Sequence, residues 1–325
     1  MKNNKFFLFL ILIIFAFNTF FFLLILKSNK NKANIINKKM PSLYTEGKYI
    51  KRADNNKTIQ LKGVSTMAFA RYNHNIEKFI SILEVVKGWN INFLGLYINP
   101  NNLVEDKLDT VINWAEKNYI YVYLMPTLDS DYELEVRSTI KKFPELIKKL
   151  AKKYQEKNHI LYGLWAEPRY FSPEEWEEYF DNGIRLIREV NPKTIILISG
   201  LDYSRVFPKD SKILRFKNII LDFHDYPAAN IEELRPILKQ KLYFNWQNYY
   251  ENYPILIGEF SGVYSDGFSS VVDLEYIKKV LIEVDKNLLN YTAYVLDEEK
   301  GTSLINWETK LPTKRGEIIK NNLLK

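Results

Sequence analysis

From residue 60 onward the chain alternates between short, almost continuously apolar runs and longer stretches in which apolar residues recur every three or four positions. The runs 60–66, 91–98, 120–126, 160–167, 194–199, 219–224, 255–259 and 292–296 read as strands. Their lack of polar alternation is the pattern of parallel strands covered on both faces. Between them, residues 75–89, 104–118, 131–158 (interrupted near Pro144), 230–253 and 269–290 read as amphipathic helices. Another helix has its start written into it. Ser172-Pro173-Glu174-Glu175 supplies an N-cap serine, a first-turn proline and a glutamate three residues after the cap, ahead of Trp176, Tyr179, Phe180, Ile184 and Ile187. Ahead of the first run, 48–53 and 58–62 read as a hairpin about the polar turn 54–57. Eight strands with intervening helices predict an α/β fold, a (β/α)8 TIM barrel, with a doubly wound sheet as the alternative.

The first 45 residues follow a different pattern. Residues 6–26 are apolar at every position except Asn18 and Thr19, long enough as a helix to cross a hydrocarbon core of ~30 Å. Secretory signals carry a shorter apolar region and a small-residue cleavage site, so 1–26 is expected to be an uncleaved signal anchor, a transmembrane helix. A polar tether, 27–45, and the body, 46–325, would follow. Five lysines after the span against two before it favour a cytoplasmic body. That rule weakens ahead of a long domain, and a body acting on a polymer has to meet it outside. The expectation is a membrane-anchored protein whose body is extracytoplasmic, or secreted if the segment is cleaved.

Composition narrows the chemistry. The net charge of +7 comes from seven lysines and no acid within residues 1–45, which leaves 39 basic and 39 acidic residues in the body. A nucleic-acid groove needs a net basic face, so no nucleic-acid partner is expected. The absence of cysteine removes disulfides, thiolate metal sites and cysteine nucleophiles. The cluster Asp129, Ser130, Asp131 lacks the glycine turn and further ligands of a calcium loop, and no metal site is assigned.

In a barrel of this kind reactive side chains stand at the carboxyl ends of the strands. Glu167 ends the fourth run, His224 the sixth and Glu259 the seventh, with Tyr226 two residues after the histidine. Two carboxylates across a cleft can cleave a glycosidic bond. One, protonated, gives its proton to the leaving oxygen; the other, ionised, attacks the anomeric carbon, and a separation of ~5 Å predicts retention. His74, with Arg71 and Tyr72, falls in the first strand-to-helix loop at the same mouth and is a candidate for substrate contact. His159 falls at the opposite end and reads as structural or exposed, and Trp165 points away from its neighbours on the run and reads as core rather than as a sugar platform.

The residues 59–64 (Ile-Gln-Leu-Lys-Gly-Val), 164–169 (Leu-Trp-Ala-Glu-Pro-Arg), 223–226 (Phe-His-Asp-Tyr) and 254–260 (Pro-Ile-Leu-Ile-Gly-Glu-Phe) resemble glycoside hydrolase family 5, the cellulase-like members of the retaining-glycosidase clan, over roughly residues 45–310. The resemblance implies a β-linked glycan substrate, Glu167 as acid/base and Glu259 as nucleophile. It also implies that His224 and Tyr226 hold and tune the carboxylates and touch the sugar, and that no metal or organic cofactor is needed. Four positions depart from the family. Ala166 replaces an asparagine that binds the sugar 2-hydroxyl, Gly95 an arginine and Thr127 a histidine, and Val295, with Tyr294 beside it, a tryptophan platform. The expected function is a retaining glycoside hydrolase, a glycosidase acting on O-glycosyl bonds. The alternatives are a catalytically weak or inactive glycan-binding barrel and a transglycosylase on the same scaffold.

Overall fold

The computed structural model describes residues 39–72, 74–128, 130, 132–208, 210–226, 245–260, 271–299 and 301–325. Strands β1 (Leu43–Glu46) and β2 (Tyr49–Arg52) pair antiparallel around Gly47, whose φ of 55° suits a residue without a Cβ. The hairpin therefore lies earlier than the sequence pattern predicts. The expected second arm, 58–62, does fold back across the polar turn, with an isolated bridge from Thr58 to Lys51 and the Ile59 amide donating to Ile50 O (2.9 Å), but it builds no ladder there, while part of the expected tether forms β1. Polarity located the turn at 54–57, but the tight glycine turn at 47 closes the ladder.

Eight parallel strands follow: β3 (Lys62–Phe69), β4 (Phe93–Ile98), β5 (Tyr121–Pro126), β6 (Ile160–Gly163), β7 (Ile196–Ser199), β8 (Ile219–Asp225), β9 (Ile255–Phe260) and β10 (Asn290–Ala293). They close into one barrel in sequence order, with β10 paired to β3 through Tyr291–Lys62, Thr292–Gly63 and Ala293–Val64. Closure excludes the doubly wound alternative. Each strand places one set of alternate residues against the surrounding helices. On β4 these are Leu94, Leu96 and Ile98; on β8 they are Ile219, Leu221 and Phe223. The intervening set, including Gly95 and Tyr97 or Asp222 and His224, faces the barrel interior.

Among the described residues the longer helices are α1 (Ile76–Lys87), α2 (Glu105–Lys117), α3 (Glu133–Ile140), α4 (Phe143–Lys153), α5 (Pro173–Val190), α6 (Val271–Asn287) and α7 (Lys314–Leu323). Asn75 caps α1 by accepting from the Lys78 amide (2.9 Å). Pro144 lies in the first turn of α4, which is where the 131–158 pattern breaks. The box at α5 is complete: Ser172 Oγ accepts from the Glu175 amide (3.2 Å) and Glu175 Oε2 from the Ser172 amide (2.9 Å). Buried Arg315 on α7 grips both oxygens of buried Asp273 on α6 (2.7 Å each).

Residues 6–26 and most of the tether lie outside the described residues, as do Asp129, Asp131 and most of the expected helix 230–253. Among the described residues no helix is long and apolar enough to cross a membrane.

Candidate active site

Strict alternation along β9 would send Glu259 outward with Ile255 and Ile257, which pack against the helix layer. A register shift prevents this. Phe223 pairs with Ile257 but His224 pairs with Glu259, so β9 carries one extra residue and Glu259 turns into the barrel mouth. The bulge depends on Gly258, because a Cβ there would lie 2.1 Å from Asp222 Oδ1. Glu167 arrives differently. The strand expected to run to it ends at Gly163, and Glu167 sits in the following turn with a φ of 56°. A left-handed glutamate away from any ladder is the kind of local strain that collects at working sites.

His224 joins the two carboxylates. Its Nδ1 donates to Glu167 Oε1 (2.9 Å) and lies 3.7 Å from Glu259 Oε2, and its Nε2 is 3.5 Å from Asp222 Oδ2. One oxygen of each glutamate and one ring nitrogen all lie within 4.8 Å of one another. Tyr226 Oη donates to Glu259 Oε2 (2.8 Å), and Tyr97 lies near enough for its hydroxyl to favour the ionised form of Glu259. Asp222 is fixed from behind by Ser199 Oγ (2.9 Å).

Burial drives the electrostatics. It pushes Glu259 up to about 7, against the pull of His224 and with the added repulsion of Glu167. It opposes protonation of His224, but the charges of Glu259 and Asp222 outweigh it and hold the ring well above the usual histidine range. Burial next to Glu259 also keeps Tyr226 protonated and able to donate. The mouth therefore holds an imidazolium among three carboxyl groups, two of which face each other at a glycosidase spacing.

The sequence matches the model of the cellulase family, glycosyl hydrolase family 5, over residues 52–309. The chain belongs to glycosyl hydrolase family 5. It is 22% identical to endoglucanase E-5 of Thermobifida fusca over 223 residues, which are 62% of this chain and 44% of that protein. The chain thus spans less than half the length of that curated relative. A β-glucanase from Saccharophagus degradans, solved in complex with cellotetraose, superposes with a TM-score of 0.71 at 21% identity, covering 90% of this chain and 95% of that one. The catalytic domain of T. fusca endoglucanase Cel5A superposes with a TM-score of 0.69 at 16% identity, covering 88% and 98%.

Against the family pattern, the four departures have physical counterparts. At Gly95 a Cβ would lie 2.3 Å from the Tyr123 hydroxyl, so the ring of Tyr123 stands where a side chain on β4 would start. Tyr97, two residues on and in the same inward phase, acts on Glu259 electrostatically and favours its ionised form. Ala166 is buried, and its amide donates to Pro126 O (2.8 Å). Thr127 donates its amide to Ile98 O (2.9 Å). β10 ends at Ala293, not 296, which leaves Tyr294 and Val295 in the loop beyond it, joined by a cis peptide. Tyr294 Oη donates to Glu299 Oε2 (3.2 Å), and the residue lies close enough to Tyr226 to act on it electrostatically.

Of the six candidates, Glu167, Glu259, His224 and Tyr226 meet directly, and Tyr294 borders them. His74 is held instead by Asp297 and Trp307: its Nε2 is 2.7 Å from buried Asp297, and its ring packs 4.3 Å from that of Trp307. His159 is buried at the other end against Ile112 O (3.2 Å), and Trp165 is core beside Leu128, Val136 and Phe143, as expected. Sequence reasoning missed Tyr97, Asp222 and Asp297. The first two could have been found by counting in steps of two along the inward phase from Gly95 and His224.

Proposed function

We propose that this chain hydrolyses a β-linked glycan with retention of anomeric configuration, Glu259 as nucleophile and Glu167 as acid/base. The observation that carries the reading is the approach of the two carboxylates to within 4.8 Å across His224, the short spacing of double displacement rather than the wider one that leaves room for water. Tyr226 and Tyr97 stabilise the ionised nucleophile in the place of the missing arginine. Glu167 protonates the leaving oxygen and then deprotonates water, while His224 orients it from Nδ1. Glucans are the first substrates to test, since relatives of this fold are named as endoglucanase and β-glucanase.

The test is reducing-end release by the full chain on β-glucans, mannans, xylans and galactans, with the product anomer followed by NMR. Turnover that yields the retained anomer and is lost in Glu259→Gln supports the reading; an inverted product or an unaffected variant removes it. Ala166 and the blocked slot at Gly95 favour one rival, a barrel that binds glycan without cleaving it. Saturable binding with turnover no faster than Glu259→Gln would establish that rival.

Membrane anchoring belongs to the same proposal and is supported by the apolar stretch 6–26. Recovery of the full chain in the membrane fraction, with its body open to added protease on the outer face of intact cells, is the expected result. Recovery of the full chain in the soluble cytoplasmic fraction would remove it.

A further inference from the structure

Arg169 lies two residues beyond Glu167 and is buried to 8% exposure. Its guanidinium reaches three backbone carbonyls. One terminal nitrogen donates to Glu167 O (3.3 Å); the other donates to Leu128 O (3.2 Å) and to Ser130 O. Leu128 and Ser130 belong to the segment after β5, so this side chain ties the turns after β5 and β6 together. The group lies 5.6 Å from the ring of Tyr203, whose amide donates to Pro168 O (3.3 Å). Around the turn, Glu167, Tyr170, Asp202 and Tyr203 all have positive φ, between 50° and 62°.

A glutamate four residues past the end of its strand has no ladder to hold it. The left-handed backbone that turns its carboxyl toward His224 is unfavourable for any residue with a Cβ. Something other than the sheet must therefore maintain it. A planar guanidinium with several fixed donors can hold three carbonyls from two segments at once, which an ammonium cannot do with the same geometry. We infer that Arg169 is the positioning residue of the acid/base, fixing the 166–168 turn so that the Glu167 carboxyl meets the glycosidic oxygen. The inference rests on the reading of Glu167 as acid/base.

The experiment separates acid catalysis from general damage by varying the leaving group. The full chain and its Arg169→Ala, Arg169→Lys and Glu167→Ala variants are assayed by kcat/KM on cellotetraose and on 2,4-dinitrophenyl β-cellobioside, whose leaving group departs without a proton. General acid help is worth roughly 100-fold or more, so misplacing the carboxyl in Arg169→Ala should cost about 30-fold on cellotetraose and under about threefold on the aryl glycoside. Arg169→Lys should fall between it and the parent. Equal losses on both substrates, or none on either, would overturn the role of Arg169. If Arg169→Ala does not fold, the same substrate ratio in Arg169→Lys decides. Glu167→Ala cleaving cellotetraose as fast as the parent would instead remove the acid/base reading, and this inference with it.

Discussion

At the scale of single residues, the site works by setting one carboxylate against its surroundings. Glu259 is buried, and the groups that favour its ionised form are His224, Tyr226 and Tyr97. Tyr226→Phe removes a hydrogen bond to a charged acceptor, a loss of about 1.5–3 kcal/mol, so kcat/KM should fall about 10- to 100-fold. With one donor gone the carboxylate ionises less readily, and the limb of the pH–rate profile that rises through pH 7 should move to higher pH. Tyr97→Phe should shift that limb the same way. Gly95→Arg tests whether the family's arginine could return. With Tyr123 across the slot it should destabilise by about 1–3 kcal/mol in urea unfolding and bring no gain in turnover.

At the scale of elements, a bulge and a turn deliver the two glutamates, and each depends on local packing. The β9 bulge leaves the position of a Gly258 side chain filled by Asp222, so Gly258→Ala must push the aspartate off His224. Loss of activity beyond any loss of stability is the expected outcome, checked by kcat beside the melting temperature. Behind the barrel, Arg315 and Asp273 join α6 to α7 with a fully buried fork. Arg315→Ala takes from buried Asp273 the guanidinium that binds both its oxygens, so it should cost about 3–5 kcal/mol, while a paired apolar replacement should cost much less.

At the scale of the whole molecule, the buried groups set how stability depends on pH. Burial pushes Glu259 and Asp225 each up to about 7, above their unfolded values of 4.5 and 3.8. Between those values and 7 the folded state holds protons that the unfolded state has released, so stability falls as pH rises through that window. His224 acts in the same direction. Its contribution is complete below 6.5 and is lost as pH rises through its higher folded value. Buried His159, pushed down to about 4, acts the opposite way below 6.5, so the melting temperature should decline mainly from about pH 6.5 to 7.5, and less steeply in Glu259→Gln. A rise over that interval would contradict the burial described for these groups.

Apolar runs alone determined the eight strands and their parallel packing, because a strand covered on both faces has to be apolar throughout, and Leu94, Ile220 and Ile257 are interchangeable in that respect. Local chemistry likewise determined the capping box at Ser172 and the break at Pro144, since those contacts close within four residues. The strand ends announced Glu167, His224, Tyr226 and Glu259, because a charge at the end of an apolar run has to meet solvent or a partner. Pairing register is set by contacts between strands distant in sequence, so only the tertiary structure decided that the Gly258 bulge turns Glu259 inward. It also placed the hairpin at Gly47 and stopped β6 four residues short of Glu167. The replacement of an arginine on β4 by the crossing of Tyr123 and the reach of Tyr97, and the grip of Arg169 on two loops, are likewise products of closure. No run of residues records which side chains a closed barrel brings face to face.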